Sequence, residues 1–454
     1  MNKELMYTKK NFYKISADKT DAAYAYANEY MDYIDNSKTE RDSVRYTIQL
    51  AKEKGYVEYT IGDKLTVGGK YYLNNRDKSV YLFRVGEGDI TDGIKLLAAH
   101  IDSPRLDLKQ RPLYDEGGMA FLKTHYYGGI RKYQWTAIPL ALHGVVVKAD
   151  GSVLDIEIGE DENDPILYVN DLLPHLAHDQ SQKPLATAIS GEQLNLLVGS
   201  CPSDVEDEGV KENVMRLINE KYGIVEDDFV SAELCAVPAG RSRDVGFDRS
   251  MIAAYGHDDK VCAYPSVTAL FETENKKDTM IVILADKEET GSDGNTGMQS
   301  RLLCDLIDEI CAQLGANPRL VRAKSFCISS DVTAAFDPNF SEVYEKSNSA
   351  LLGCGVALSK FTGSRGKSGT SDASAETVGK IRKIFDDNGV VWQSAELGKI
   401  DIGGGGTVAK YIANLNIDTI DIGVPVISMH APIEVVSKAD LYSTHLAFLS
   451  FLND

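Results

Sequence analysis

Residues 280–292 read MIVILADKEETGS. Six apolar residues, Met280 to Ala285, stop abruptly at Asp286, Lys287, Glu288 and Glu289. A run this short and this uniformly apolar predicts a strand buried on both faces, the habit of parallel sheets. Ile94–Ala99 (IKLLAA) has the same form and breaks into His100 and Asp102. Ser325–Ser330 (SFCISS) breaks into Asp331. Helical patterns lie between the strands. Met298–Leu314 places Leu303, Ile307, Ile310, Cys311 and Leu314 on one face, with Gly315 as its stop. Ser374–Phe385 reads as a helix, Ile417–Ser428 as an edge-like strand pair, and Leu441–Leu452 as a last helix capped by Ser437 and Asp440. Near the N-terminus, Thr39 and Asp42 form a capping box ahead of Val44, Ile48 and Ala51, and Gly55 ends that helix. Strands alternating with helices predict an α/β fold: a mixed, mainly parallel sheet flanked by helices.

The alternation lapses in the middle of the chain. ALHGVVVKADGSVLDIEIG, from Ala141, shows β-branched runs split by an Asp-Gly turn, a hairpin signal. The stretch from Cys201 to Asp228 is acidic and polar. Residues 111–245 therefore read as an inserted, strand-rich domain within a unit formed by 1–110 plus 246–454.

Composition limits the partners. The chain has 454 residues, with 48 Lys+Arg against 68 Asp+Glu, a formal net charge of −20. Such a surface repels phosphate, which argues against nucleic acid or an anionic membrane. The N-terminal MNKELMYTKKNFYK lacks the apolar run of a signal peptide, and no stretch approaches the ~20 apolar residues of a membrane span. The seven cysteines are scattered without a C-x-x-C pair, which fits free thiols in a reducing cytoplasm.

Ligands of open α/β sheets bind beyond the carboxyl ends of the strands. Acids and imidazoles cluster at those ends here. His100 and Asp102 follow one strand, Glu288 and Glu289 another, Asp331 a third, and His430 follows DIGVPVIS; Asp258 and Asp259 precede a helical run in YGHDDKVCAY. Bare carboxylates brought this close repel and are driven to protonate. A pair of divalent cations removes the conflict. Imidazole and carboxylate donors without thiolate suit zinc, and also cobalt or manganese. Adjacent Glu288 and Glu289 point in different directions, so one can hold metal while the other serves as general base. In His100-x-Asp102 the carboxylate can take the second imidazole N–H and fix the ligand tautomer.

His-x-Asp, Asp-Asp, Glu-Glu-x-Gly-Ser, Ser-Ser-Asp and Ser-Met-His-Ala, in this order from His100 to His430, resemble the aspartyl aminopeptidase family of co-catalytic metallopeptidases. The resemblance implies a zinc-exopeptidase-like catalytic domain interrupted by a dimerisation domain. It implies two metal ions: His100 and Glu289 at the first, Asp331 and His430 at the second, and Asp258 bridging, with Asp259 the alternative. Glu288 would be the general base acting on a metal-bridging hydroxide, and Asp102 would orient His100. A cis peptide is implied at Asp258–Asp259. The implied activity is an EC 3.4.11 hydrolase releasing N-terminal residues, acidic ones preferred, from peptides. The implied assembly is a homodimer that builds a homododecamer.

In DLLPHLAHDQ either His175 or His178 matches a family histidine that reaches a neighbouring subunit's active site. An acidic preference needs a cation in the first side-chain pocket, and the Gly-rich segment FTGSRGKSGTSDASAE offers Arg365 and Lys367. Other hydrolases on the same scaffold, namely a deacylase, an endopeptidase or a glucanase, are the alternative reading. His257, His125, His143 and His445 fall outside the pattern and read as structural. The tract Gly403–Gly406 lacks a following Lys-Ser/Thr and reads as a close backbone approach rather than a phosphate cradle.

Overall fold

The computed structural model describes residues 5–205 and 209–454; the acidic 206–208 lie outside the described residues. The chain divides into two compact units. One comprises 1–102, 242–429 and 434–454, the other 103–241 and 430–433. The divisions at 102/103 and 241/242 fall a few residues from the 110/111 and 245/246 read from composition, because Arg105–Glu116 is already a strand of the second unit.

The first unit is built on a nine-stranded sheet. Its order is Val57–Glu58, Lys70–Asn75, Ser79–Arg84, Thr279–Ala285, Ile94–His100, Phe326–Ser329, Asp418–Gly423, Val356–Ser359 and Trp392–Ser394. Thr279–Ala285, Ile94–His100, Phe326–Ser329 and Asp418–Gly423 run parallel to their neighbours in that series. The continuous apolar runs have the predicted cause. Leu97 and Ala99 pack into one apolar cluster and Ile94, Leu96 and Ala98 into another. Met280, Val282 and Leu284 likewise oppose Ile281, Ile283 and Ala285. Helices Thr20–Asp35, Glu40–Glu53, His257–Glu272, Ala375–Asp387 and Lys438–Asn453 bury side chains in the first cluster, and Leu302–Leu314 in the second.

Three local expectations change. Asp418–Gly423 lies inside the sheet rather than at an edge, and Pro425–Ile427 passes into a separate five-stranded sheet. The helix expected from Met298 starts at Leu302. Asp440 does not cap the last helix; its carboxylate accepts the N–H groups of Gly353 (2.8 Å) and Gly355 (2.7 Å) and holds that loop. The Thr39–Asp42 capping box forms as read.

The second unit carries a seven-stranded sheet in which every strand pairs antiparallel with its neighbours, in the order Ala232–Pro238, Arg105–Glu116, Met119–Tyr127, Leu196–Gly199, Leu167–Val169, Pro139–Val147 and Val153–Ile158. Ala232–Pro238 also pairs with Pro139–Val147, which closes six strands into a ring. The Asp-Gly turn joins Pro139–Val147 to Val153–Ile158 in the expected hairpin. Gly144 in that hairpin permits close strand approach, since a Cβ there would fall 1.9 Å from the Glu233 carbonyl oxygen. Among the described residues no helix is long and apolar enough to cross a membrane.

Candidate metal centre

The carboxyl ends of three adjacent parallel strands build the site. Ile94–His100 ends in His100, which is 1% exposed. Beyond Thr279–Ala285, Lys287 takes a left-handed φ of 65° and turns the chain into the short helix Glu288–Thr290. Phe326–Ser329 leads to Asp331. A Cβ on Gly423 of the next strand would lie 1.8 Å from the Asp331 carbonyl oxygen, so only glycine lets that strand pass the Asp331 backbone. Asp258 enters from the start of His257–Glu272, after Gly256 at φ 75°, and the Asp258–Asp259 peptide is cis.

His100 is the hub. Its Nε2 is 3.1 Å from Asp258 Oδ1, 3.9 Å from Glu288 Oε2 and 4.0 Å from Asp331 Oδ1. Its Nδ1 lies 3.0 Å from the Asp102 carbonyl oxygen and 3.3 Å from Asp102 Oδ1. The structure thus brings together three overlapping groups of donors: His100, Glu288 and Asp331; His100, Asp258 and Glu289; and Asp258, Asp259 and Asp331. Within each group one donor atom per residue lies within 4.8 Å of the others. Asp102 organises the glutamates as well as the histidine. Its Oδ1 accepts the Glu288 N–H at 3.1 Å and its Oδ2 the Glu289 N–H at 3.2 Å.

The charges conflict without a cation. Burial, then the charges of Asp259, Glu288 and Asp258, push the Asp331 carboxyl well above its usual range. Burial and the Asp258 charge do the same to Asp259. For His100, burial disfavours protonation, but the hydrogen bonds and charges of Asp102 and Asp258 outweigh it and raise the pKa well above 6.5. Asp259 Oδ1 is buried with no hydrogen-bond partner among the described residues. A buried acceptor of this kind beside imidazole and carboxylate oxygens fits a divalent metal. Donor chemistry of this class is that of a metallohydrolase.

The other residues singled out in the sequence have the following surroundings. His430 has a φ of 65°, belongs to the second unit, and its Nδ1 lies 3.0 Å from the Gly129 carbonyl oxygen there. His175 and His178 are exposed in the second unit, on the short helices Pro174–Leu176 and His178–Ser181. Lys367 is paired with Asp372 Oδ2 at 2.8 Å and sits 3.9 Å from the centre of the Phe361 ring. His143 pairs with Glu160, and His445 with Glu272 and Thr268.

Two acids escaped the sequence reading. Buried Asp286 accepts Thr296 Oγ1 at 2.6 Å, and burial with the charges of Glu40 and Asp102 pushes it up to about 7. Buried Glu434 accepts the Asp258 N–H at 3.0 Å. Its signal was a lone acid opening the apolar run EVVS.

Comparison with known proteins identifies the family. The family described as "Aminopeptidase I zinc metalloprotease (M18)" matches residues 33–452. "Probable M18 family aminopeptidase 1" of Clostridium acetobutylicum is 49% identical over 457 residues, covering 97% of this chain and 98% of that protein. The crystal structure of an M18 family aminopeptidase from Thermotoga maritima superposes with a TM-score of 0.94 at 43% identity, covering 99% of this chain and 100% of that one. The structure of the S. cerevisiae mApe1 dodecamer shares the fold, with a TM-score of 0.77 at 19% identity over 94% and 96% of the two chains. This chain belongs to the M18 family of zinc metallo-aminopeptidases, which includes the aspartyl aminopeptidases. It is a hydrolase that releases N-terminal residues from peptides.

Proposed function

We propose that hydrolysis takes place in the cluster around His100, with two divalent ions held there. Zinc is the ion the family description names, and cobalt and manganese suit the same donors. In this reading His100 and Glu289 would hold one ion and Asp331 the other, with Asp258 shared between them. His430 is assigned to the second ion on its sequence motif alone. The observation that carries the reading is His100 Nε2 standing within 4.0 Å of acids from three different loops, Asp258, Glu288 and Asp331.

When bound, the ions supply Lewis acidity, polarising the scissile carbonyl and lowering the pKa of a water toward neutrality. Glu288 is the general base. It takes a proton from the attacking water as the C–O bond forms and delivers it to the departing amine nitrogen as the C–N bond breaks. Asp102 holds Glu288 in place through the backbone N–H and fixes the His100 ring. Substitution Glu288→Gln tests this role: zinc content should persist while turnover collapses.

The preference for an acidic N-terminal residue is a finer proposal, and Lys367 gives it little support because Asp372 already neutralises that charge. A panel of Asp-, Glu-, Leu- and Lys-p-nitroanilides, with N-blocked peptides, reads it directly and separates the deacylase and endopeptidase alternatives. The second unit serves self-association to a homodimer and a homododecamer. Leu172, Leu173 and Leu176, flanking His175 and His178, are 50%, 50% and 68% exposed, which favours a covered surface there. Sedimentation at several concentrations tests the assembly. The cytoplasm is the proposed compartment, consistent with cysteines that are all free thiols, five of them buried.

A further inference from the structure

We propose that Glu434 is a positioning residue for Asp258, its carboxylate serving to aim the Asp258 side chain at the metals through the backbone. The inference rests on the reading of Asp258 as a metal ligand. Glu434 is 1% exposed and opens the strand Glu434–Ser437, opposite Ala254 in the strand Met251–Ala254. A charged side chain is costly in such a place, and an apolar residue would pair with Ala254 without that cost. Its carboxyl oxygen Oε2 accepts the Asp258 N–H at 3.0 Å.

The residue before Asp258 is fixed as well. His257 is fully buried, and its Nε2–H donates to the Ile252 carbonyl oxygen at 3.1 Å. Its Nδ1 then accepts the Tyr30 hydroxyl at 2.7 Å. Burial, and next the charge of Glu434, push the Tyr30 phenol well up, which keeps it a donor. Asp258 is therefore gripped at its own N–H and at the preceding ring. Its remaining freedom is side-chain rotation, and that ends with Oδ1 at 3.1 Å from His100 Nε2. Outer groups that orient ligands in this manner contribute roughly 10- to 100-fold to metal affinity.

The test is zinc affinity of the full chain, measured by competition with a chromophoric chelator, with the visible spectrum of the cobalt-loaded protein as a second readout. Glu434→Gln keeps an acceptor oxygen and should bind zinc much as the unaltered chain does. Glu434→Leu removes the acceptor, and Glu434→Asp keeps the charge but withdraws the oxygen from the N–H. Each should weaken zinc by roughly 10- to 100-fold and alter the cobalt spectrum. If the Leu variant does not fold, the Asp variant carries the test. Unaltered affinity in the variants lacking the acceptor would overturn the proposal, as would a Gln variant weakened as much as the others, since the charge alone would then matter. Asp258→Asn run alongside separates the two levels. Zinc retained by that variant sinks the ligand reading itself; zinc lost there but retained in the Glu434 variants sinks only the role of Glu434.

Discussion

Replacing Asp102 by Asn should slow turnover without emptying the site. Asp102 has no exposure to solvent, and its two carboxylate oxygens accept the N–H groups of Glu288 and Glu289 at 3.1 and 3.2 Å. An amide of the same shape has one acceptor oxygen, and its NH2 must face the other N–H. One buried donor thus loses its partner, at a cost of about 1–3 kcal/mol. If that cost falls on the alignment of the general base, it is a loss of roughly 5- to 150-fold in kcat. His100 is less affected, because its Nδ1 also contacts the Asp102 backbone carbonyl at 3.0 Å, which the substitution leaves intact. Zinc content should therefore stay close to that of the unaltered chain, and KM should move little. The assay is steady-state hydrolysis of an aminoacyl-p-nitroanilide under saturating zinc, with bound zinc measured on the same samples. A normal kcat would refute the reasoning. So would a deficit that excess zinc fully restores, because the defect would then lie in metal binding.

Glu288→Gln should retain metal and lose roughly 10²- to 10⁴-fold in kcat, read with the same substrate; near-normal turnover would remove Glu288 as the base. Chelation should abolish activity and lower the melting temperature, since the carboxylates are left facing one another, and added zinc should restore both; a chelated protein that stays active would contradict the metal-dependent chemistry. Thr39→Ala removes the acceptor of the Asp42 N–H at the capping box and should cost about 0.5–2 kcal/mol in denaturant unfolding, with no change in KM. Burial pushes the Asp421 carboxyl up to about 6 from 3.8, against hydrogen bonds from Ser329 and Thr407. The fold therefore favours its protonated form, and that contribution is complete below pH 4 and fades as pH rises through 6. The metal-free Asp421→Asn variant should show a flatter pH dependence of melting between pH 4 and 6, and an unaltered slope would count against the buried charge.

The elements that could be read in the sequence were those whose cause is local. MIVILA and IKLLAA are apolar throughout because both faces of the sheet are covered, and a single sequence records that. The hairpin after Ala141 announces itself through Asp150-Gly151. The acids and imidazoles were legible as a group because parallel strands deliver their carboxyl ends to one side. What escaped depends on neighbours distant in the chain. Asp440 lies where a cap belongs, yet the loop Gly353–Gly355 captures its carboxylate. Asp418–Gly423 reads as an edge until Phe326–Ser329 and Val356–Ser359 are found on either side of it. Glu434 looks like an ordinary strand residue until the Asp258 amide is seen against it.

The central claim, a pair of ions caged around His100, is tested most directly by anomalous scattering at the zinc edge from crystals of the zinc-loaded chain. Two peaks roughly 3.5–4 Å apart, within coordination distance of His100, Asp258, Glu289 and Asp331, are expected. A cluster without peaks, or peaks bound only by other residues, would contradict the account.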